Sequence, residues 1–440
     1  MKKSVAIAGG GIAGLSAAVF LAEKGFKIKL FESSPKLGGR AYSVYDRDRK
    51  MFFDNGQHLL AGWYKNTFDF LKIIGTYNDL KFQSNLEIDF LDTYKQKLKL
   101  KSSGLRPPFN LLSALLSFPG FTGKEKLSVL KLRALMNGKS FDNFSNTAEL
   151  LDSLGQTGNL MKYFWEPFIL AVFNTAAKNV SVNVFMNVIS KGFSDENGFK
   201  LVIPSNDLNQ LLIDRAEEYL LSRGNEIEKS VRIVGAVLNS SDDHFISEDT
   251  RKIKADHFIS AVPFHSFRGV FGNTSGPDHI CAERLRSSSI VSVHIFLKDN
   301  CNLEFLKDNP LGMTGLIGTK IQWIFKKSES YFSVVISGAD ELGVTELSSE
   351  EIADLCIEDL EKCLNGFSGE MIKDYKVIKE KRATFIPDNE SDSLRPKQLT
   401  GIKNFYIAGD WTDTGLPSTI ESAIQSARIC SDHICKTEGI

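Results

Sequence analysis

No Cys-x-x-Cys pair occurs in this chain. Its six cysteines, Cys281, Cys301, Cys356, Cys363, Cys430 and Cys435, are scattered, so the sequence suggests neither a zinc site nor a disulfide framework, and a reducing cytoplasm suits it. No metal is expected. Net charge is missing too: 53 Lys and Arg offset 54 Asp and Glu, which leaves no field to gather nucleic acid. There is no internal repeat on the scale of about 20–50 residues and no low-complexity linker. A chain of 440 residues exceeds one ordinary core, so two domains are expected, and without a linker they must be interleaved. The apolar stretch Leu105–Phe121 is too short and too broken by proline to cross a bilayer. Followed by Lys124 and Lys126, it reads either as a segment lying in a membrane interface or as a buried core helix. Met1-Lys2-Lys3-Ser4 is like the start of a secretory leader. The apolar stretch behind it is interrupted by three consecutive glycines, so no cleaved leader is expected. The expected location is cytoplasmic, peripheral on the inner face of the cell membrane under the interfacial reading.

What is present begins at residue 4. Ser4-Val5-Ala6-Ile7-Ala8 is a short apolar run suited to a buried parallel strand, and Gly9-Gly10-Gly11-Ile12-Ala13-Gly14 leads directly into the helical run Leu15–Lys24. The three spaced glycines have separate tasks: Gly9 makes the turn, Gly11 lets the backbone approach a pyrophosphate, and Gly14 lets the helix pack on the strand. The helix start at Ile12 and Ala13 offers free N–H donors to the phosphates. A second strand, Lys27–Phe31, ends at Glu32 and Ser33, about 20 residues beyond the glycines, where a carboxylate accepts from adenosine ribose hydroxyls. A carboxylate there repels a 2′-phosphate, so FAD or NAD is expected and NADP is not.

Two further elements favour FAD. Gly38-Gly39-Arg40 permits another close backbone approach and places a guanidinium fork beside a phosphate or flavin edge. Near the C-terminus, Asn404–Ala408 reads as a strand, Gly409-Asp410 follows at its end, and Pro417-Ser418-Thr419-Ile420-Glu421 opens a helix running to about Cys435. Asp410 would meet the ribityl-phosphate portion of a cofactor. The helix start near Thr419 and Ile420 would aim its positive end at the flavin N1–C2 carbonyl edge. Between these arms, Leu86–Phe199 looks mostly helical. Leu208–Ser222 reads as an amphipathic helix and Glu226–Val237 as strand material centred on Ser230–Ile233. Ala255–Pro263 is a strand stopped by proline, and Ile290–Phe296 and Tyr331–Ser337 are strands that could floor a substrate cavity. Ser348–Leu364 reads as a helix capped by Ser349.

The sequence resembles the FAD-dependent amine oxidase and phytoene desaturase superfamily and, within it, the hydroxysqualene dehydroxylase family. The resemblance covers nearly the whole chain. It is carried by Gly38-Gly39-Arg40-Ala41, Asp54-Asn55-Gly56-Gln57-His58, Phe173-Asn174-Thr175, Arg382-Ala383-Thr384-Phe385, Leu394-Arg395-Pro396 and the run Ala408–Glu421. It implies an α/β fold: a Rossmann-like FAD-binding domain of the glutathione-reductase type, interleaved with an α+β substrate domain. The FAD-binding parts would be 1–85, 201–265 and 396–440, and the substrate parts 86–200 and 266–395. It further implies that Asn55, Gly56, Gln57, His58 and Val231 join the residues above in holding FAD. The substrate would be the isoprenoid lipid hydroxysqualene, whose hydroxyl is replaced by hydride to give squalene for hopanoid or related triterpene synthesis. Squalene-synthase-like enzymes would be neighbours. The chain departs from the family pattern at Ser422 and Ala427, where glycine is usual.

Hydroxide is a poor leaving group, so such chemistry needs a proton donor near the flavin. His58 is the candidate acid, being able to titrate near neutral pH. The alternative is that His58 orients its loop through a backbone hydrogen bond. Asp54 would anchor the same loop, and Arg382 either binds a polar group or pairs with a carboxylate. Phenylalanine is abundant, 32 against 10 Tyr and 4 Trp, which suits a hydrocarbon tunnel. Base-composition drift explains the count equally well. A desaturase running the flavin oxidatively, or a silent FAD-binding scaffold, would share these motifs. Amine oxidases usually place an aromatic residue where this chain has Thr419.

Overall fold

The computed structural model describes residues 2–106, 108–132, 143–195, 197–272, 280–298, 301, 303 and 312–440. At its centre is a five-stranded parallel sheet in the spatial order Glu226–Lys229, Lys27–Glu32, Ser4–Ala8, His257–Ser260, Phe405–Ile407. Val5, Ala6, Ile7 and Ala8 are all buried, as a strand covered on both faces requires. Side chains alternate between the faces. Val5 and Ile7 pack with the helix Ile12–Glu23, against which the C-terminal helix Ile420–Glu438 lies. Ala6, Ala8 and Phe258 face the other way, into a cluster with Phe245, Phe271 and Phe405. Phe245 belongs to a small antiparallel sheet, Ile233–Val237, His244–Ser247 and Lys252–Lys254, that roofs this side.

A second sheet has seven strands in the order Ile372–Phe385, Ser287–Leu297, Tyr331–Ser337, Trp323–Ser328, Met313–Ile317, Glu87–Asp92, Lys97–Lys101. Val291, Val293, Ile295, Phe332, Val334 and Ile336 cover one face with the helix Ser349–Cys363. The opposite face, with Trp323, Phe325, Val335 and Met313, joins the large core shared with the helices Phe109–Ser117, Glu166–Phe173 and Val182–Ser194. The chain crosses between the two sheets repeatedly, and each draws strands from widely separated segments.

Several expectations are corrected. Leu86–Phe199 opens with a hairpin, Glu87–Asp92 with Lys97–Lys101, that extends the larger sheet; the alternation Lys97-Leu98-Lys99-Leu100-Lys101 is a strand signal. The strand expected around Ser230–Ile233 is two strands in different sheets, because Ser230 adopts φ 58° and turns the chain. The cap of Ser349–Cys363 is Ser348, whose hydroxyl accepts from the Glu351 N–H while the Glu351 carboxylate accepts from the Ser348 N–H. Leu105–Phe121 divides its character. Leu111, Ala114, Leu115, Phe118 and Phe121 are buried, whereas Leu105, Phe109 and Leu116 are exposed. Among the described residues no helix is long and apolar enough to cross a membrane.

Candidate active site

The carboxyl ends of the parallel strands assemble the site. Gly9 has φ +110°, and a Cβ there would lie 2.6 Å from the Ala261 carbonyl oxygen; one on Gly14 would lie 1.9 Å from that of Gly9. Both glycines are demanded by the turn and by close helix–strand packing. Gly11 is different. Its backbone is extended, at φ −71° and ψ 179°, and a Cβ would meet only the Gly39 Cα at 3.8 Å. The protein alone does not require glycine at this position, and the open space is the cradle that a ligand would fill. The helix Ile12–Glu23 carries no side-chain cap on its first turn, which leaves its Ile12 and Ala13 end suited to phosphate oxygens. Gly38 and Gly39, at φ +99° and +63°, bring a second loop against the first, with the Gly38 N–H donating to the Gly10 carbonyl at 2.9 Å.

Glu32 straps this region together. Its carboxylate accepts from the Gly10 N–H at 2.7 Å, the Ser34 N–H at 2.7 Å and the Ser33 hydroxyl at 3.2 Å. The Val231 N–H donates to the Glu32 carbonyl at 2.9 Å, so Val231 stands at the same end of the sheet. Arg40 joins the two ends of the chain: its guanidinium pairs with Asp410 and donates to the Ala383 carbonyl at 2.8 Å. Ser418 also donates to Asp410. Gly409 is fixed by its N–H to the Ser426 hydroxyl at 2.8 Å. Thr419 caps the last helix, accepting from the Ser422 N–H at 3.1 Å, and Ile420 begins it. Ser422, the departure from glycine, donates to the Asp410 carbonyl at 3.0 Å. Its hydroxyl thereby helps hold the Gly-Asp turn, while Ala427 is fully buried.

The loop Asp54–His58 is equally constrained. Asp54 accepts from the Ser43 hydroxyl at 2.7 Å and the Leu208 N–H at 3.1 Å. Buried Asn55 donates to the Arg40 carbonyl at 2.8 Å. A Cβ on Gly56 would meet the Ser292 Oγ at 3.8 Å and the His58 Cε1 at 3.9 Å, ordinary contacts, so packing does not demand glycine here. Gln57 accepts from the Lys327 ammonium. The His58 ring hydrogen-bonds the Gly56 carbonyl through Nδ1 at 2.8 Å. A carbonyl only accepts, so Nδ1 carries the proton and Nε2 keeps its lone pair in the neutral ring. Burial lowers the His58 pKa and the Lys327 pKa, with Asp54 opposing both shifts. His58 is half-buried and Lys327 is exposed, so water reaches both side chains.

Arg382 lies on the edge strand Ile372–Phe385 and is exposed. Burial lowers the pKa of His265, and the charges of Arg382 and Arg40 lower it further, which sets all three near one another. Sequence reasoning missed Ser292 and Lys327. Alternation marks Ser292 as one face of a strand, but only cross-strand register brings it to Gly56.

The description "flavin containing amine oxidoreductase" fits this geometry, and that family's model matches residues 12–435. The chain belongs to this family. Its cofactor is FAD, and it is an FAD-dependent oxidoreductase; the room beside Gly11 fits such a group. Among curated relatives, the hydroxysqualene dehydroxylase of Zymomonas mobilis is 29% identical over 97% of each chain. That of Sinorhizobium fredii is 26% identical over 98% of each. The 15-cis-phytoene desaturase of Solanum lycopersicum is 24% identical over 98% of this chain and 77% of its own. Among solved structures, cyclohexylamine oxidase from Brevibacterium oxydans shares the fold with a TM-score of 0.72 at 14% identity, covering 100% of both chains. A putative protoporphyrinogen oxidase from an Exiguobacterium species does so with a TM-score of 0.70 at 17% identity, over 99% of both.

Proposed function

We propose that this protein reduces hydroxysqualene to squalene in the synthesis of hopanoids or related triterpenes. The observation that carries this reading is the end-to-end similarity to hydroxysqualene dehydroxylases, at higher identity than to the phytoene desaturases. In this reading Gly9, Gly11, Ile12, Ala13 and Gly14 receive the FAD pyrophosphate. Glu32, Ser33 and Val231 serve the adenosine half, and Gly38, Gly39, Arg40, Gly409 and Asp410 the middle. Asn55 to His58, with Thr419 and Ile420, border the flavin ring. Bound FAD, once reduced, supplies the hydride. The substrate's C–O bond breaks as its oxygen takes a proton delivered by water, so hydride plus that proton convert the alcohol to hydrocarbon and water. Neutral His58, tied to Gly56, serves by fixing the loop that shapes the reacting face. Arg382, beside Arg40, supports the cofactor's anionic middle.

A thirty-carbon substrate gains nothing by leaving a bilayer for an equally apolar tunnel, so the protein must meet the membrane to collect it. The exposed side chains Leu105, Phe109 and Leu116, followed by Leu127 and Leu130 on the next helical segment, with Lys124 and Lys126 between them, form the surface we assign to that contact.

The test of function is anaerobic incubation of the reduced holoprotein with synthetic hydroxysqualene, with products identified by gas chromatography. Squalene formed together with reoxidised flavin is expected. Further-unsaturated polyenes made by the oxidised protein would instead establish a desaturase. Absence of turnover by flavin-loaded protein would leave a scaffold for squalene-forming enzymes.

A further inference from the structure

The edge strand of the larger sheet falls out of step with its neighbour beside Arg40. Along Ile372–Phe385, Thr384 pairs with Ser288 and Glu380 with Ile290, so Lys381, Arg382 and Ala383 together stand opposite Ser289 alone. Such a bulge lifts backbone groups out of the ladder and re-aims them. Here the re-aimed group is the Ala383 carbonyl, which accepts from the Arg40 guanidinium at 2.8 Å. The other arm of that guanidinium pairs with Asp410. Two anchors on a rigid, planar fork fix its direction.

The bulge is held in shape from a different part of the chain. Asn174 ends the helix Glu166–Phe173 in the left-handed conformation, at φ 54°, and is 4% exposed. Its side-chain amide enters the gap that the bulge leaves. Nδ2 donates to the Ser289 carbonyl at 3.3 Å and to the Thr384 hydroxyl at 3.0 Å, while Oδ1 accepts from the Gly338 N–H at 2.8 Å. Both N–H groups and the carbonyl are therefore used. Ser288 closes the arrangement by donating to the Asn174 backbone carbonyl at 2.7 Å. One amide thus ties the bulged strand, at the residue next to Ala383, to Ser287–Leu297 and to the end of Tyr331–Ser337. An aspartate in its place would have the same shape and no N–H to give.

We propose that Asn174 is a positioning residue for the cofactor: through Thr384 it sets the Ala383 carbonyl, and that carbonyl sets the direction of Arg40. The inference rests on the assignment of Arg40 to the middle of FAD. It joins a helix of the substrate part to a residue of the cofactor part.

The test is a set of double-variant cycles read by FAD affinity. Asn174→Gly keeps the left-handed backbone and removes the amide. Thr384→Val removes one hydroxyl and keeps the shape. Arg40→Lys retains a charge for Asp410 and loses the fork that reaches Ala383. Apoprotein is titrated with FAD by fluorescence quenching for wild type, for each variant, and for Asn174→Gly and Thr384→Val each combined with Arg40→Lys. Asn174→Gly and Thr384→Val should each weaken FAD by about fivefold or more in the wild-type background. In the Arg40→Lys background the same changes should cost less than about twofold, because the link is already broken. Equal losses in both backgrounds would mark the amide as general scaffolding and overturn the proposal, as would full FAD affinity in Thr384→Val. Should Asn174→Gly fail to fold, the Thr384→Val cycle decides. Failure of the parent assignment is separable: Arg40→Lys would then bind FAD as wild type does and overturn both, whereas a weakened Arg40→Lys with equal losses sinks the Asn174 step alone.

Discussion

Glycines that look alike in the sequence carry different burdens. Gly14→Ala would drive a methyl group into the Gly9 carbonyl, and overpacking at such a point costs about 1–3 kcal/mol or more. Poorly soluble, unfolded product is expected. Gly11→Ala meets only ordinary contact, so it should fold with an unchanged circular-dichroism melt while its affinity for FAD, measured by fluorescence quenching, falls by about tenfold or more. A Gly11→Ala protein that binds FAD normally would contradict the cradle. These roles were legible because strand, turn and helix adjoin in sequence and their spacing is fixed by local geometry. Ser292 and Lys327 were not legible. Their place beside the loop comes from pairing between distant strands, and period-two alternation gives a face without naming what lies opposite it.

At the level of elements, the two helices flanking the loop region are locked by one carboxylate. Glu421, in the first turn of Ile420–Glu438, accepts from the N–H and side chain of Asn66 at 3.1 and 2.9 Å and from the N–H and hydroxyl of Thr67 at 2.9 and 2.7 Å. Those residues begin the helix Lys65–Ile74, which has no side-chain cap of its own. Glu421 is 2% exposed, and burial raises its pKa despite four donors. Glu421→Ala strands buried donors and should destabilise the protein by about 3 kcal/mol, seen as a lower urea midpoint. An unchanged midpoint would deny it this role. The last helix was readable from Pro417 and Thr419 onward, as its cap is local. The hairpin Glu87–Lys101 was missed although its second strand alternates strictly, because the helical segments after it dominated the reading of the region.

For the whole molecule, the interleaving follows from the absence of any linker, and the parallel sheet follows from the first strand–turn–helix unit. The open apolar surface was only half visible, since sequence could not divide Leu105–Phe121 into its buried and exposed sides. Binding to anionic liposomes, measured by co-sedimentation, should fall severalfold in a Phe109→Asp, Leu127→Asp double variant whose flavin spectrum is unaltered. Undiminished sedimentation would place the contact elsewhere.

The Arg40–Asp410 pair unites residues 370 positions apart. During synthesis the glycine turn therefore emerges long before Asp410 and the helix Ile420–Glu438 behind it. If these residues hold FAD as proposed, a nascent chain carries half of the berth until that helix has emerged, and loading can finish only then. Protein truncated before Ile420 should accumulate as apoprotein, read as the loss of flavin absorbance.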